Sequence, residues 1–278
     1  MDSKEVKAFI NTYRRFYIIG DKKGDNKPED EEYDLCGIPR TIMPVDNELE
    51  AHIIEKINQG HYDAETFAWK AGKAKWENGQ LVYNDPLNYR WVNGNGCEIK
   101  VSKDGPPMTK EDFEEVLKNN NDLIMELVNS CDLTAPEGRK DAYIGLLETM
   151  NLYNFGAVNL INMLFFLSKG DVPIYDYFAH LGLKALYLNK SPLEVAVPSS
   201  PGKDEHPRGG AGDKKKNYYL AINVLEEYIW MLKEVFTQEI HKDGSTMYIS
   251  REIDQALWVY GHAYIQYPPS EHQNKTSQ

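Results

Sequence analysis

Cysteine is scarce in this chain. Only Cys36, Cys97 and Cys131 occur among 278 residues, with no CxxC pair and no Cys/His ligand spacing. An odd, scattered set excludes a disulfide framework, a zinc knuckle and an iron–sulfur cluster, so free thiols in a reducing compartment are expected. No metal and no cofactor is expected. Long apolar runs are missing too: none approaches the ~18 residues of a membrane-spanning helix. Met1-Asp2-Ser3-Lys4-Glu5 shows no apolar signal region. A cytoplasmic protein without a membrane partner is expected. Positive charge is also short. Lys and Arg number 31 against 43 Asp and Glu, a net −12. That balance excludes indiscriminate nucleic-acid binding but leaves room for a local basic face.

What is present suits a globular fold. The composition is 41% hydrophobic and 12% aromatic, enough for a sizeable core, and the length suits one large domain or two subdomains. Residues 3–17 place Val6, Phe9, Ile10, Tyr13 and Phe16 on one helical stripe. Residues 20–32 read as an exposed loop. Asn47 and Asp63 are placed to cap helices over Glu48–Gln59 and Ala64–Ala71. From about 75 to 103 the pattern changes. Leu81–Tyr83, Tyr89–Val92 and Cys97–Val101 are short extended runs, separated by the turn signals Asn84-Asp85-Pro86 and Asn93-Gly94-Asn95-Gly96. They predict a small antiparallel β insert in a mainly α N-terminal region, residues 1–130. Thr109 opens a helix reaching about Val128.

A second helical region is expected over 131–265, with helices near 140–152, 157–168, 175–189, 217–240 and 250–260, followed by a flexible tail at 266–278. The stretch from Ser199 to Lys216 is rich in Pro, Gly and charge and reads as a mobile loop. Within it Gly209-Gly210-Ala211-Gly212-Asp213-Lys214 lacks the ending of a phosphate loop and follows no strand, which rejects nucleotide binding there. The run Phe67-Ala68-Trp69-Lys70-Ala71-Gly72 is distinctive but suggests no role by itself.

The most informative stretch runs from Tyr153 to Ala179. A helix ends near Tyr153, and Gly156 permits a tight turn. An almost wholly apolar helix follows and must be buried. Lys169-Gly170-Asp171 breaks it, Pro173 sets an extended entry, and Asp176 stands at the start of the next helix, near its positive end. This order of helix, glycine turn, buried helix, Pro and Asp resembles the helix-hairpin-helix DNA glycosylases. There, a Gly-Val-Gly-like hairpin leads through a buried helix to a Pro-Val-Asp-like element whose Asp is catalytic. Together with the closing run Glu252–Gly261, Pro173-Ile174-Tyr175-Asp176 resembles bacterial proteins having an 8-oxoguanine DNA glycosylase fold.

The resemblance implies a monofunctional DNA N-glycosylase acting in DNA repair, with DNA as partner. Asp176 would stabilise the oxocarbenium-like sugar or activate the attacking water or amine. Gly156 and Ala157 would hold a DNA phosphate through backbone amides. Lys214, Lys215 and Lys216 would contact the backbone. A base flipped out of the helix would meet Trp258 and Tyr260, with His262 adding a polar contact. Two departures stand out: the first hairpin glycine is absent, and Tyr175 is an extra residue between Pro173 and Asp176. Val158 or Asn159 falls where bifunctional members carry a lysine, so hydrolysis without imine formation is expected.

Plainer readings exist for the same residues. Asp176 is a preferred helix cap. Trp258 and Tyr260 could be core aromatics. The three lysines could be a solvated loop, and His180, at i+4 from Asp176, could pack beside it rather than tune it. The alternative function is a non-catalytic DNA- or protein-binding module that retains the glycosylase fold, for instance in bacterial defence.

Overall fold

A computed structural model describes residues 1–14, 17, 47–70, 74–83, 98–197, 213–236 and 251–266. Over them the chain is mainly helical. Helix α1 (Ser3–Tyr13) starts at a reciprocal cap: Asp2 Oδ1 accepts the Lys4 and Glu5 amides at 2.8 Å, and Glu5 accepts the Asp2 amide. Helix α2 (Asn47–Gln59) buries Leu49, Ile53 and Ile57, spaced for a single face. It ends at Gly60, whose φ of 63° suits glycine. Helix α3 (Ala64–Lys70) is capped by Asp63, whose Oδ1 accepts the Glu65 and Thr66 amides at 3.0 Å.

Strands β1 (Ala74–Glu77) and β2 (Gln80–Tyr83) form an antiparallel hairpin in the register Ala74↔Tyr83 and Glu77↔Gln80. The expected extended run Leu81–Tyr83 lies in β2, but its partner precedes it. Asn78-Gly79, with φ of 52° and 75°, makes the two-residue turn, since those types tolerate positive φ. The other expected strand runs and turns between 84 and 97 lie outside the described residues. So do Cys36 and Cys97, the loop at 20–32, the stretch 199–212 and the tail beyond 266. Lys100 bridges to both Pro107 and Tyr153. The Asn154 side chain donates to Glu98 O at 2.9 Å, tying this segment to the turn ahead of Gly156.

Helix α4 (Lys110–Ser130) opens on the Thr109/Asp112 capping box, as the sequence predicts. Helix α5 spans Pro136–Met150, starting earlier than the expected Lys140 because Pro136 takes the first turn, where its missing amide costs nothing. Helix α6 (Ala157–Leu167) is buried along nearly its whole length. Each large apolar side chain there, such as Leu160, Ile161 or Phe166, contributes roughly 1.5–3 kcal/mol. Helices α5, α2, α4 and α8 (Asp213–Val235) surround it. Helix α7 (Tyr177–Leu188) packs on α8 and most extensively on α9 (Arg251–Gln266), which also carries α1.

Two boundaries correct the sequence reading. Helix α8 begins at Asp213 and stops at Val235, so Lys214, Lys215 and Lys216 belong to its first turn rather than to a loop. Lysine is a good helix former, and the last Gly/Pro-type breaker lies at Gly212. Helix α9 continues through Gly261 to Gln266, which places His262 inside a helix. Among the described residues no helix is long and apolar enough to cross a membrane.

Candidate active site

The apolar helix α6 terminates in a left-handed turn at Lys169 and Gly170, with φ of 56° and 89°. The Gly170 amide closes it on Phe165 O at 2.9 Å. Val172, Ile174 and Tyr175 then run buried through the core, and Asp176 emerges in extended conformation as the N-cap of α7. Its Oδ1 accepts the Phe178 amide at 2.9 Å, and its Oδ2 lies 3.3 Å from Lys70 Nζ. The carboxylate is 25% exposed and the lysine 15%, so the pair meets solvent at one edge. The capping role of Asp176 is therefore real, and it coexists with an ion pair formed across the fold.

Lys70 reaches that position because α3 is clamped on both of its inner neighbours. Phe67 stacks on Phe155, centroids 5.8 Å apart, immediately ahead of the Gly156 turn. Trp69 meets the edge of Phe166 of α6 at 6.0 Å. The distinctive Phe67–Gly72 run thus acquires a purpose through Lys70. It has two buried aromatic anchors, with the cation presented by the final residue of the helix.

Behind the pair lies Arg251, the first residue of α9. Its Nε donates to Glu50 Oε1 at 3.0 Å, its Nη2 donates to Tyr17 Oη at 2.8 Å, and its Nη1 pairs with Asp254 Oδ2. The guanidinium lies over the Trp69 ring at 4.8 Å and the Tyr17 ring at 5.1 Å. The planar fork serves three acceptors at once, which an ammonium would not match. Burial pushes the Tyr17 phenol up to about 12, with Arg251 opposing and Asp254 and Glu50 assisting. Burial also lifts the Asp254 carboxyl to about 6, against Arg251 and Lys70 and with help from Asp176 and Glu50. Asp254 Oδ1 and Glu50 Oε2 are buried with no hydrogen-bond partner among the described residues.

On the α7–α8 side, Tyr175 Oη and His180 Nδ1 are 3.0 Å apart, and the rings of Tyr175, His180 and Tyr228 pack edge-on at 5.5 Å. Burial holds His180 neutral, down at about 3, with Lys184 adding to the effect. His180 Nε2 and Tyr228 Oη have no hydrogen-bond partner among the described residues. His180 therefore acts on Tyr175, the neighbour of Asp176, and makes no direct contact with the carboxylate.

Gly156 caps α6 with φ 87°, a conformation glycine adopts readily, and Ala157 is the buried first residue of that helix. Trp258 is half-buried and edges onto Tyr17 at 5.3 Å and onto Phe178, whose amide holds Asp176, at 6.4 Å. It therefore shares the neighbourhood of the carboxylate. Tyr260 is turned elsewhere, into an aromatic group with Phe9 at 5.8 Å and Tyr13 at 5.0 Å on α1. Lys70, Arg251 and Asp254 carried no assigned role in the sequence, since nothing local to any of them marks it. Among the described residues no group of three or more His, Cys, Asp or Glu side chains is arranged to hold a metal ion. No family model, curated protein or solved structure matches the chain.

Proposed function

We propose that the chain is a monofunctional DNA N-glycosylase of the helix-hairpin-helix type, with Asp176 at the reacting sugar and a modified or damaged base as leaving group. The observation that carries the reading is the ion pair of Asp176 Oδ2 and Lys70 Nζ, 3.3 Å apart and partly open to solvent, at the start of α7. A carboxylate fixed by a backbone amide stabilises the positive charge that develops on the sugar. Each oxygen has one described partner, which leaves lone pairs for a water proton. Water oxygen bonds to C1′, its proton passes to Asp176, and the base departs with the bonding electron pair. The Gly156–Ala157 turn supports a phosphate contact, and Trp258, next to Phe178, supports a stacking wall.

Lys70 holds the Asp176 carboxylate through the ion pair and takes no covalent part, so no imine forms and borohydride leaves no cross-link. The test is an abasic-site assay on oligonucleotides, each bearing one oxidised, alkylated or deaminated base. Wild-type protein should leave an abasic site on at least one of them. Asp176→Asn should lower that rate by roughly 10²–10³-fold while retaining DNA binding. A borohydride cross-link to the protein would mark imine chemistry and remove the monofunctional assignment. Base release that persists in Asp176→Asn, or release from no substrate, removes the reading.

The net charge of −12 favours a second reading, a non-catalytic DNA- or protein-binding module retaining the same fold. DNA retention with no base lost from any oligonucleotide is its signature in the same assay.

A further inference from the structure

Tyr175 is the residue that lengthens the Pro173–Asp176 element, and the reading of Asp176 alone gives it no task. We propose that Tyr175 and His180 are a positioning pair for Asp176. The phenol is tied to the imidazole across the start of α7, and the tie fixes the backbone from which the carboxylate is presented. The inference rests on reading the Asp176 neighbourhood as the site.

The segment that delivers Asp176 has no ladder to hold it. Among the described residues Pro173, Ile174 and Tyr175 make no backbone–backbone hydrogen bond, and proline has no amide to give. Side chains must therefore set its path. Val172, Ile174 and Tyr175 are at most 1% exposed, but apolar burial has no direction. The Tyr175 hydroxyl does have direction, since its Oη lies 3.0 Å from His180 Nδ1. His180 grips the same segment a second time, because its amide donates to Asp176 O at 2.9 Å. One residue of α7 thus holds both the backbone oxygen of Asp176 and the side chain of its predecessor. Between these two holds Asp176 keeps φ −141° and ψ 145°, from which Oδ1 accepts the Phe178 amide at 2.9 Å.

The polarity of the tie follows from counting protons. Burial keeps the imidazole neutral, so one ring nitrogen carries a proton and the other accepts one. Nε2 has no hydrogen-bond partner among the described residues. With the proton on Nδ1, a bare Nε2 and the Tyr175 hydroxyl proton would both be stranded in the core. With the proton on Nε2, the hydroxyl donates to Nδ1 and a single N–H is left over. The second arrangement strands fewer groups, and each stranded buried group is costly. Tyr228 of α8 closes the pair from the third side, its ring 5.5 Å from each of the other two, and all three rings are buried. Neither partner can therefore swing away to find another. Removing the hydroxyl leaves Nδ1 as a buried acceptor without a donor and frees the Tyr175–Asp176 peptide to turn.

Amide hydrogen exchange, followed by NMR on the full chain, reads the tie without any DNA. The probe is the Phe178 amide, which Asp176 Oδ1 accepts. The control is the Asp112 amide, which Thr109 Oγ1 accepts at 3.2 Å in the cap of α4. Tyr175→Phe should speed exchange at Phe178 by about fivefold or more, the worth of one hydrogen bond, and leave Asp112 unchanged. His180→Leu should do the same. His180→Asn, whose side-chain oxygen can stand near the place of Nδ1, should keep Phe178 close to wild type. A Phe178 amide unmoved in Tyr175→Phe overturns the inference, whatever the protein does to DNA. Equal acceleration at Phe178 and Asp112 overturns it as well, because that marks general loosening. So do equal Phe178 rates in the Leu and Asn variants of His180, because packing alone would then suffice. A Phe178 amide that responds as expected in a protein that releases no base upholds the inference and removes the glycosylase reading instead.

Discussion

Two buried side chains on opposite sides of Asp176 have had their proton affinities pushed in opposite directions, and stability should record both. His180 falls to about 3 and Asp254 rises to about 6, each through burial first. Between about pH 4 and 6 the unfolded chain protonates His180 while the fold does not, so this residue makes stability rise with pH. Over the same window the fold protonates Asp254 while the unfolded chain does not, so stability falls with pH. Each slope is about 1.4 kcal/mol per pH unit, and the two oppose one another. Denaturation in urea from pH 4 to 6 should show it. Relative to wild type, His180→Gln should lose stability as pH rises, and Asp254→Asn should gain it. Parallel curves for all three proteins would refute the opposed burial of the two groups. At this scale the sequence is legible only where local order sets chemistry. Asp176 stands out because Pro173 and a helix start frame it. Lys70 and Arg251 do not, because Asp176 lies 106 residues from the first and Glu50 201 residues from the second. Only packing of aromatics such as Trp69 brings them together.

Helix contacts set the next scale, and α7 against α9 is the contact that holds the site. Its closeness depends on two glycines facing each other's backbone. A Cβ at Gly261 would stand 2.0 Å from Phe178 O, and one at Gly182 would stand 2.8 Å from Leu257 O. No real side chain tolerates the first distance, so Gly261→Ala must push α9 away from the turn that carries Asp176. Overpacking of this kind costs typically about 1–3 kcal/mol. Gly261→Ala should therefore lower Tm. It should also disturb the amide resonance of Phe178, which reports the Asp176 cap. An unshifted Phe178 amide in a normally stable variant would contradict the close contact. Helix existence was readable from the apolar stripe of α1, from the helix starts expected at Asn47, Asp63 and Thr109, and from the almost wholly apolar run of α6. Ends were not, where propensity overrode composition. The Gly/Pro-rich segment before α8 hid the fact that Asp213-Lys214-Lys215-Lys216 already propagates a helix. Likewise Asn78-Gly79 makes the observed hairpin, while the expected turns, Asn84-Asp85-Pro86 and Asn93–Gly96, follow it in the chain.

For the whole molecule, electrostatics set the sharpest requirement on the proposed function. A chain with net charge −12 repels a phosphate backbone, so any DNA contact must come from a local cluster of cations. The densest such cluster is Lys214-Lys215-Lys216, which the structure moves from a loop into the first turn of α8. Consecutive residues of a helix stand about 100° apart around its axis, so three in a row belong to different faces. Each lysine that does meet a phosphate releases counterions and steepens the salt dependence by about 0.9 for duplex DNA. Binding of a duplex oligonucleotide, followed by anisotropy at increasing salt, should therefore give a shallow log–log slope. Replacing the three lysines with glutamine should flatten it by about one to two, short of the roughly 2.7 that three independent contacts would give. A loss near that upper figure would mean that the segment leaves the helix to bind. An unchanged slope would transfer the phosphate contact to cations elsewhere, and with it the direction from which DNA approaches Asp176.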